Sequence, residues 1–157
     1  MAPQGEADHG GETVLDPGES SRIALHMKSM SIRYAVITSV TRDDLLDGGA
    51  GYFGRVVADI RAVLPDVGNE LLVPDFQGSS AAVASEAALP IEVFGHNLET
   101  VASLHPLVRR GADYALSLEV LRTAHEHSKA WIKSGIPVVQ AGPYVGSSYL
   151  AESPYRK

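Results

Sequence analysis

VITSVTRDDLLDGGAGYF, residues 36–53, runs from an apolar β-branched strand through a carboxylate-rich loop into a cluster of glycines. The run YAVITSV, residues 34–40, is the kind of segment that a parallel sheet buries on both faces. Gly49-Ala50-Gly51-Tyr52-Phe53-Gly54 spells G-x-G-x-x-G, which raises the question of a phosphate-binding turn. A dinucleotide fingerprint sets its first glycine in the tight turn directly after the strand, so that the pyrophosphate meets a helix N-terminus. Here the strand ends near Val40 and Gly49 comes nine residues later, with Asp43, Asp44 and Asp47 between them to repel phosphate. Asp75, at the end of the next strand, could mimic the ribose-binding acid of such a site. The spacing fits better a reading in which the glycines turn the chain and let a helix approach the sheet.

Beyond the glycines, Phe53, Val56, Val57, Ile60, Val63 and Leu64 recur at helical spacing and form one apolar face. Pro65 and Gly68 are expected to end that helix. Upstream, Ser20 is expected to cap a helix with Ile23, Met27 and Met30 on its buried face. ELLVP (70–74) and IEVFGHN (91–97) read as the second and third strands, with a small-residue helix over Ser80–Ala88 between them. Leu98, Val101, Leu104 and Val108 predict a further helix. Leu116–His127 predicts another, with Leu118, Leu121 and His125 on a shared face. AWIKSGI (130–136) and VVQAG (138–142) are late strand candidates, and Trp131 is read as an anchor in the first of them. Strands alternating with helices of this length mean βαβ units, a parallel sheet and an α/β fold. Strands at 33–40, 69–73 and 91–95 should be parallel and sequential neighbours, joined by right-handed helical crossovers. In such folds the chemistry sits at the C-terminal ends of the strands. The polar residues collect there, at Thr38 to Asp47, Asp75, His96 to Glu99 and Lys133-Ser134.

Composition sets bounds on function. A chain of 157 residues is enough for one domain and buries roughly 70% of its unfolded surface. A net charge of −6 argues against nucleic acid or an anionic membrane as partner. No apolar run approaches the roughly 18 residues of a membrane span. Residues 1–18, rich in Gly, Glu and Asp and without Lys or Arg, read as a disordered tail with neither a signal nor a transit pattern. A cytoplasmic setting is the default. Residues 19–151 are expected to form the domain and 152–157 a second tail. Cysteine is absent, which removes disulfides, thiol nucleophiles and thiolate metal sites. His125-Glu126-His127 does not make a metal site on a helix, because positions i and i+2 do not share a face.

The signatures VITSVTRDDLLDGGAGYF (36–53), LVPDFQG (72–78), FGHNLETV (94–101), LVRRGADYALSLEVL (107–121), KSG (133–135) and AGPYVGSSYLA (141–151) occur in one order. Together they resemble the lipoyl synthase family of radical S-adenosylmethionine (SAM) enzymes, over about residues 15–151. The resemblance implies a partial (β/α) barrel of parallel strands. It also implies two 4Fe-4S clusters, one that cleaves SAM to a 5′-deoxyadenosyl radical and one that supplies sulfur to a protein-bound octanoyl chain. The implied partner is an octanoylated lipoyl-carrier domain. By this resemblance the loop around Thr38, Ser39, Arg42, Asp43 and Asp44 lines the barrel mouth. Asn97, Glu99, Lys133 and Ser134 would help hold SAM, and Ser148 matches the serine that ligates an iron of the sacrificial cluster.

The sequence departs from the family where the cofactors bind. The two three-cysteine motifs expected before and around residues 1–15 do not occur, and Fe–S clusters are held chiefly by Cys thiolates. After KSG the chain passes directly to IPVVQAGPYVGSSY, where the family continues through further β/α units. Gly95 and Gly146 stand where the family usually has Asn and Arg. Two readings therefore stay open. One is a lipoyl synthase piece that needs another chain to supply the clusters and the missing strands. The other is a cysteine-free barrel fragment that binds a small molecule or a partner, holds no cluster by itself, and self-associates through an open sheet edge.

Overall fold

A computed structural model describes residues 16–109, 111–137 and 147–151. The strand candidate at 138–142, residues 1–15 of the first expected tail and the whole of the second lie outside them. The elements follow in the order α1 (Glu19–Ser29), β1 (Tyr34–Thr38), α2 (Ala50–Val63), β2 (Gly68–Leu72), α3 (Ser80–Ala87), β3 (Val93–Gly95), α4 (His105–Val108), α5 (Tyr114–His127), β4 (Trp131–Pro137) and β5 (Ser147–Ala151). The five strands lie in the sheet in sequence order. β1 to β4 are parallel, as the alternation of periodicities predicts, and β5 adds antiparallel to β4. The sheet is an open segment of a barrel-type α/β layer.

Register sorts the side chains into two faces, because successive strand residues point to opposite sides. The row Ile37, Leu71, Phe94 and Ile132 runs straight across the four parallel strands. All four belong to the main apolar cluster with Phe53, Val57, Phe76, Val83, Val120 and Ala124 from the helices. A second cluster joins Ala24 and Met27 of α1 to Val56, Ile60 and Val67. The helices thus cover one face. The opposite face carries Tyr34, Val36, Glu70, Val93, Trp131 and Lys133, and three of its large side chains, Tyr34, Val36 and Trp131, are about half exposed.

Several expectations change. Ser20 does not cap α1. Gly18 holds the cap position, while Ser20 lies inside the helix, buried, and donates to Asp59 at 2.6 Å. Met27 is in the core but Met30 is 69% exposed, because the helix stops before it. Residues 98–104 do not form a helix. Glu99 takes a left-handed backbone (φ 65°) and its N–H donates to Gly135 of β4, so the segment is tied to the sheet. Only α4 is helical there. On α5 the buried stripe is Ser117, Val120, Thr123 and Ala124, with Leu118 45% exposed and His125 exposed. The small residues of α3 pack against α5, and that contact selects a stripe one residue removed from the most apolar one. Trp131 starts β4 and lies half exposed on the uncovered face. SSYLA, which periodicity did not mark as a strand, is β5 and covers the outer edge of β4 from Lys133 to Pro137.

Candidate functional site

The C-terminal ends of β1, β2 and β3 open into one cleft of about 560 Å³. Its lining begins with Thr38 and Ser39 after β1, continues with Val73, Pro74 and Asp75 after β2, and closes with His96, Asn97 and Glu99 after β3. Thr41, Asp43, Gln77, Arg109 and Ser117 complete the wall. Parallel strands bring these segments together because each strand ends at the same edge, where its loop turns back to a helix. Asp43, Asp75 and Glu99 stand against a single described cation, Arg109, so the cleft is negative and rich in hydrogen-bond acceptors. Such a surface suits a ligand with hydroxyls, amines or a positive centre.

Local geometry holds the wall in place. Asp75 accepts from the N–H of Gln77 at 3.0 Å and turns the chain through Phe76 and Gln77, both at positive φ (48° and 54°). Glu99 lies 3.6 Å from Arg109. Asn97 rests against Gly135: a Cβ at that position would stand 2.7 Å from its Oδ1. The glycine of the KSG motif therefore makes room for the amide of the neighbouring strand end. His96 is 7% exposed. Its Nδ1 lies 2.9 Å from the carbonyl of Val73, its Nε2 is buried without a partner, and burial pushes its pKa below the usual imidazole value.

Of the residues singled out in the sequence, Thr38, Ser39, Asp43, Asn97 and Glu99 converge on this cleft. Arg42 forms a two-pronged ion pair with Asp44, at 2.7 and 2.6 Å, and lines a separate, more apolar cavity of about 470 Å³ beside β1. Lys133 and Ser134 are successive residues of β4 and point to opposite faces. Lys133 pairs with Glu70 at 2.8 Å on the uncovered face, reaching over β3 where Gly95 carries no side chain. Ser134 lies on the helix side, its Oγ buried with no partner. Ser148 stands in β5 opposite Ile136. Glu70 was not foreseen. It is 5% exposed, accepts from both Lys133 and the hydroxyl of Tyr34 (3.0 Å), and burial together with that carboxylate pushes the Tyr34 pKa up to about 12. Arg109 lay in a helical pattern that does not form, so nothing marked it.

The glycine motif does not leave its helix N-terminus open. Asp47 accepts from the N–H groups of Gly49 (2.9 Å) and Gly51 (2.8 Å) and fills the N-terminus of α2 with the chain's own carboxylate. Those bonds, that of Gly51 first, hold its carboxyl below the usual range. Gly48 and Gly49 take positive φ (61° and 88°) to make the turn, and Gly54 faces Glu86 of α3 at van der Waals distance.

An iron–sulfur cluster does not fit the donors present. The 157 residues include no cysteine, and no group of three or more His, Cys, Asp or Glu is placed to hold a metal among the described residues. No described helix is long and apolar enough to cross a membrane.

No protein-family model matches the chain. Curated relatives do. A lipoyl synthase of Chlorobium limicola is 46% identical over 131 residues, which are 81% of this chain and 45% of that protein. One of Aeromonas hydrophila is 45% identical over 130 residues, 82% of this chain and 40% of the relative. One of Pyrobaculum calidifontis is 50% identical over 125 residues, 79% and 43% of the two chains. The chain thus spans less than half the length of the curated relatives it matches. Over the matched length the chain belongs to the lipoyl synthase family.

Proposed function

We propose that this chain carries the cofactor-cleft portion of a lipoyl synthase, binds SAM weakly at the strand ends, and does not by itself insert sulfur into an octanoyl chain. The observation that carries the reading is the convergence of Thr38, Ser39, Asp43, Asn97 and Glu99, from two separate family signatures, on one negative cleft. Hydroxyls and an amide at strand ends match ribose and amino-acid groups, and the carboxylates match a sulfonium or ammonium centre. Arg42 and Asp44 at the mouth, and Lys133 and Ser134 as SAM contacts, enter the proposal by the family resemblance; none of the four is among the residues lining the cleft. Lys133 meets a carboxylate on the ligand only by sharing or leaving Glu70.

The missing thiolates set the limit on activity. The radical and the sulfur come from the clusters, and a protein supplies their binding and orientation. Ser148 offers one hard oxygen, which cannot replace soft thiolates around iron. Activity on an octanoylated lipoyl-carrier domain, in the cytoplasm, would need a second polypeptide to bring the clusters and the remaining strands. Self-association through an open sheet edge is the other association proposed; among the described residues β5 pairs with part of the β4 edge expected to stay open, and β1 has a strand neighbour on one side.

Titration calorimetry with SAM tests the cleft. Each hydrogen bond is worth about 0.5–1.5 kcal/mol net, against several kcal/mol of association entropy, so the dissociation constant should be roughly millimolar or weaker. Micromolar affinity refutes the weak-binding reading. Anaerobic reconstitution with iron and sulfide, followed by iron counting and electron paramagnetic resonance, tests the rest. A stoichiometric cluster signal overturns the assignment of inactivity.

A further inference from the structure

We propose that His96 is a ligand-recognition residue of the cleft, whose neutral imidazole takes a hydrogen bond at Nε2 from a hydroxyl or amino group of the bound molecule. The proposal rests on the reading that the cleft binds a small polar ligand.

The tautomer follows from the partner of Nδ1. That atom lies 2.9 Å from the Val73 carbonyl, which can only accept, so Nδ1 carries the proton and donates. In a neutral ring the other nitrogen is then an acceptor. The ring is neutral because it is buried, at 7% exposure, and the imidazolium is disfavoured there. The bond to Val73 fixes the ring between the ends of β2 and β3 and turns Nε2 away from the backbone. Nε2 is buried and has no partner among the described residues. Buried polar atoms without partners are rare and ask for an explanation.

The surroundings point to a ligand donor as that explanation. The charged groups closest in influence to the ring are Asp75, Arg109 and Glu99, and all three line the cleft. None of the carboxylates can donate to Nε2. Arg109 could, yet it is drawn to Glu99 in a long pair of 3.6 Å, with both side chains a third or more exposed. A loose pair of this kind yields to an incoming group. Glu99 is further held in a left-handed backbone by its bond to Gly135. Such conformations persist where the surrounding structure over-determines them, and they cluster at ligand sites. His96 thus adds an uncharged acceptor to a cleft otherwise dominated by carboxylates. It selects for a donor without adding to the negative field.

Long-range ¹H–¹⁵N spectra of the uniformly labelled chain read the Nε2 resonance directly, with His96→Gln supplying its assignment. The probe is SAM at millimolar concentration. Addition should move Nε2 by several ppm from the position of a bare acceptor towards that of a hydrogen-bonded one. His96→Gln should weaken binding about tenfold, the size of one hydrogen bond. If the cleft amides of Ser39, Asn97 and Glu99 respond to SAM while Nε2 stays in place, the proposal is wrong and the cleft reading stands. If no cleft amide responds, the cleft reading fails and the role of His96 falls with it. The titration of the unaltered chain decides the matter even where the variant does not fold.

Discussion

Glu86 is the buried group most open to a decisive test. It sits on α3 facing Gly54 of α2, is 2% exposed, and its Oε2 has no partner. Burial first, and the nearby charge of Asp47 second, push its pKa from 4.5 up to about 7. The sign of the linkage follows. The folded chain holds this proton over a range in which the unfolded chain has lost it, so the contribution of Glu86 to stability is greatest below pH 4.5. It falls as the pH rises and levels off above about 7. At about 1.4 kcal/mol per pH unit, the rise from 4.5 to about 7 amounts to about 3 kcal/mol. Glu86→Gln removes the charge but leaves a buried amide short of partners, which costs roughly 1 kcal/mol. The variant should therefore be about 2 kcal/mol more stable than the parent at pH 8 and slightly less stable at pH 4. In a domain of this size 2 kcal/mol moves Tm by about 4–8 °C. Urea denaturation at pH 4, 5.5 and 8 measures the difference. A difference independent of pH, or a variant no more stable at pH 8, refutes the argument that Glu86 is a desolvated carboxylate.

Three further outcomes follow from named contacts. Lys133→Met leaves the buried carboxylate of Glu70 with Tyr34 as its one partner among the described residues and should cost about 2–3 kcal/mol in denaturant unfolding, while Glu70→Met combined with Lys133→Met should recover most of that loss; a double variant as unstable as the single one sinks the ion-pair account. Gly48→Ala places a Cβ 3.1 Å from the Cα of Phe76 at φ +61° and should cost about 1–3 kcal/mol, read as a lower urea midpoint, with an unchanged midpoint contradicting it. Sedimentation should find self-association that is weakened when Val36 on β1 is replaced by Lys, a charge of the kind that blunts open edges; a parent chain monomeric at high concentration removes the self-association proposal.

The parallel sheet was legible because short apolar segments alternate with helical patterns: the β-branched run of YAVIT marks β1, and the apolar residues of ELL and VFG, set between helices, mark β2 and β3. The same holds for α2, whose apolar spacing matches its buried face. Sequence reading failed where a neighbour decided the outcome. The pattern of Leu98, Val101 and Leu104 is helical, yet the N–H of Glu99 bonds to β4 and the helix does not form. The apolar stripe of α5 lost to its small residues, because close approach to α3 outweighs the hydrophobicity of any one leucine.

The cleft divides along the same line. Motif order in the sequence alone pointed to Thr38, Ser39, Asp43, Asn97 and Glu99, and to the missing thiolates, since both are matters of residue identity. That Lys133 and Ser134 part to opposite faces, that Lys133 meets Glu70, and that His96 is left with a bare acceptor were decided by the tertiary structure. Those facts depend on register and on what lies across a strand or beneath a loop. A sequence states which groups exist and how they are spaced along one chain; only the packed sheet determines which of them face each other at hydrogen-bonding distance.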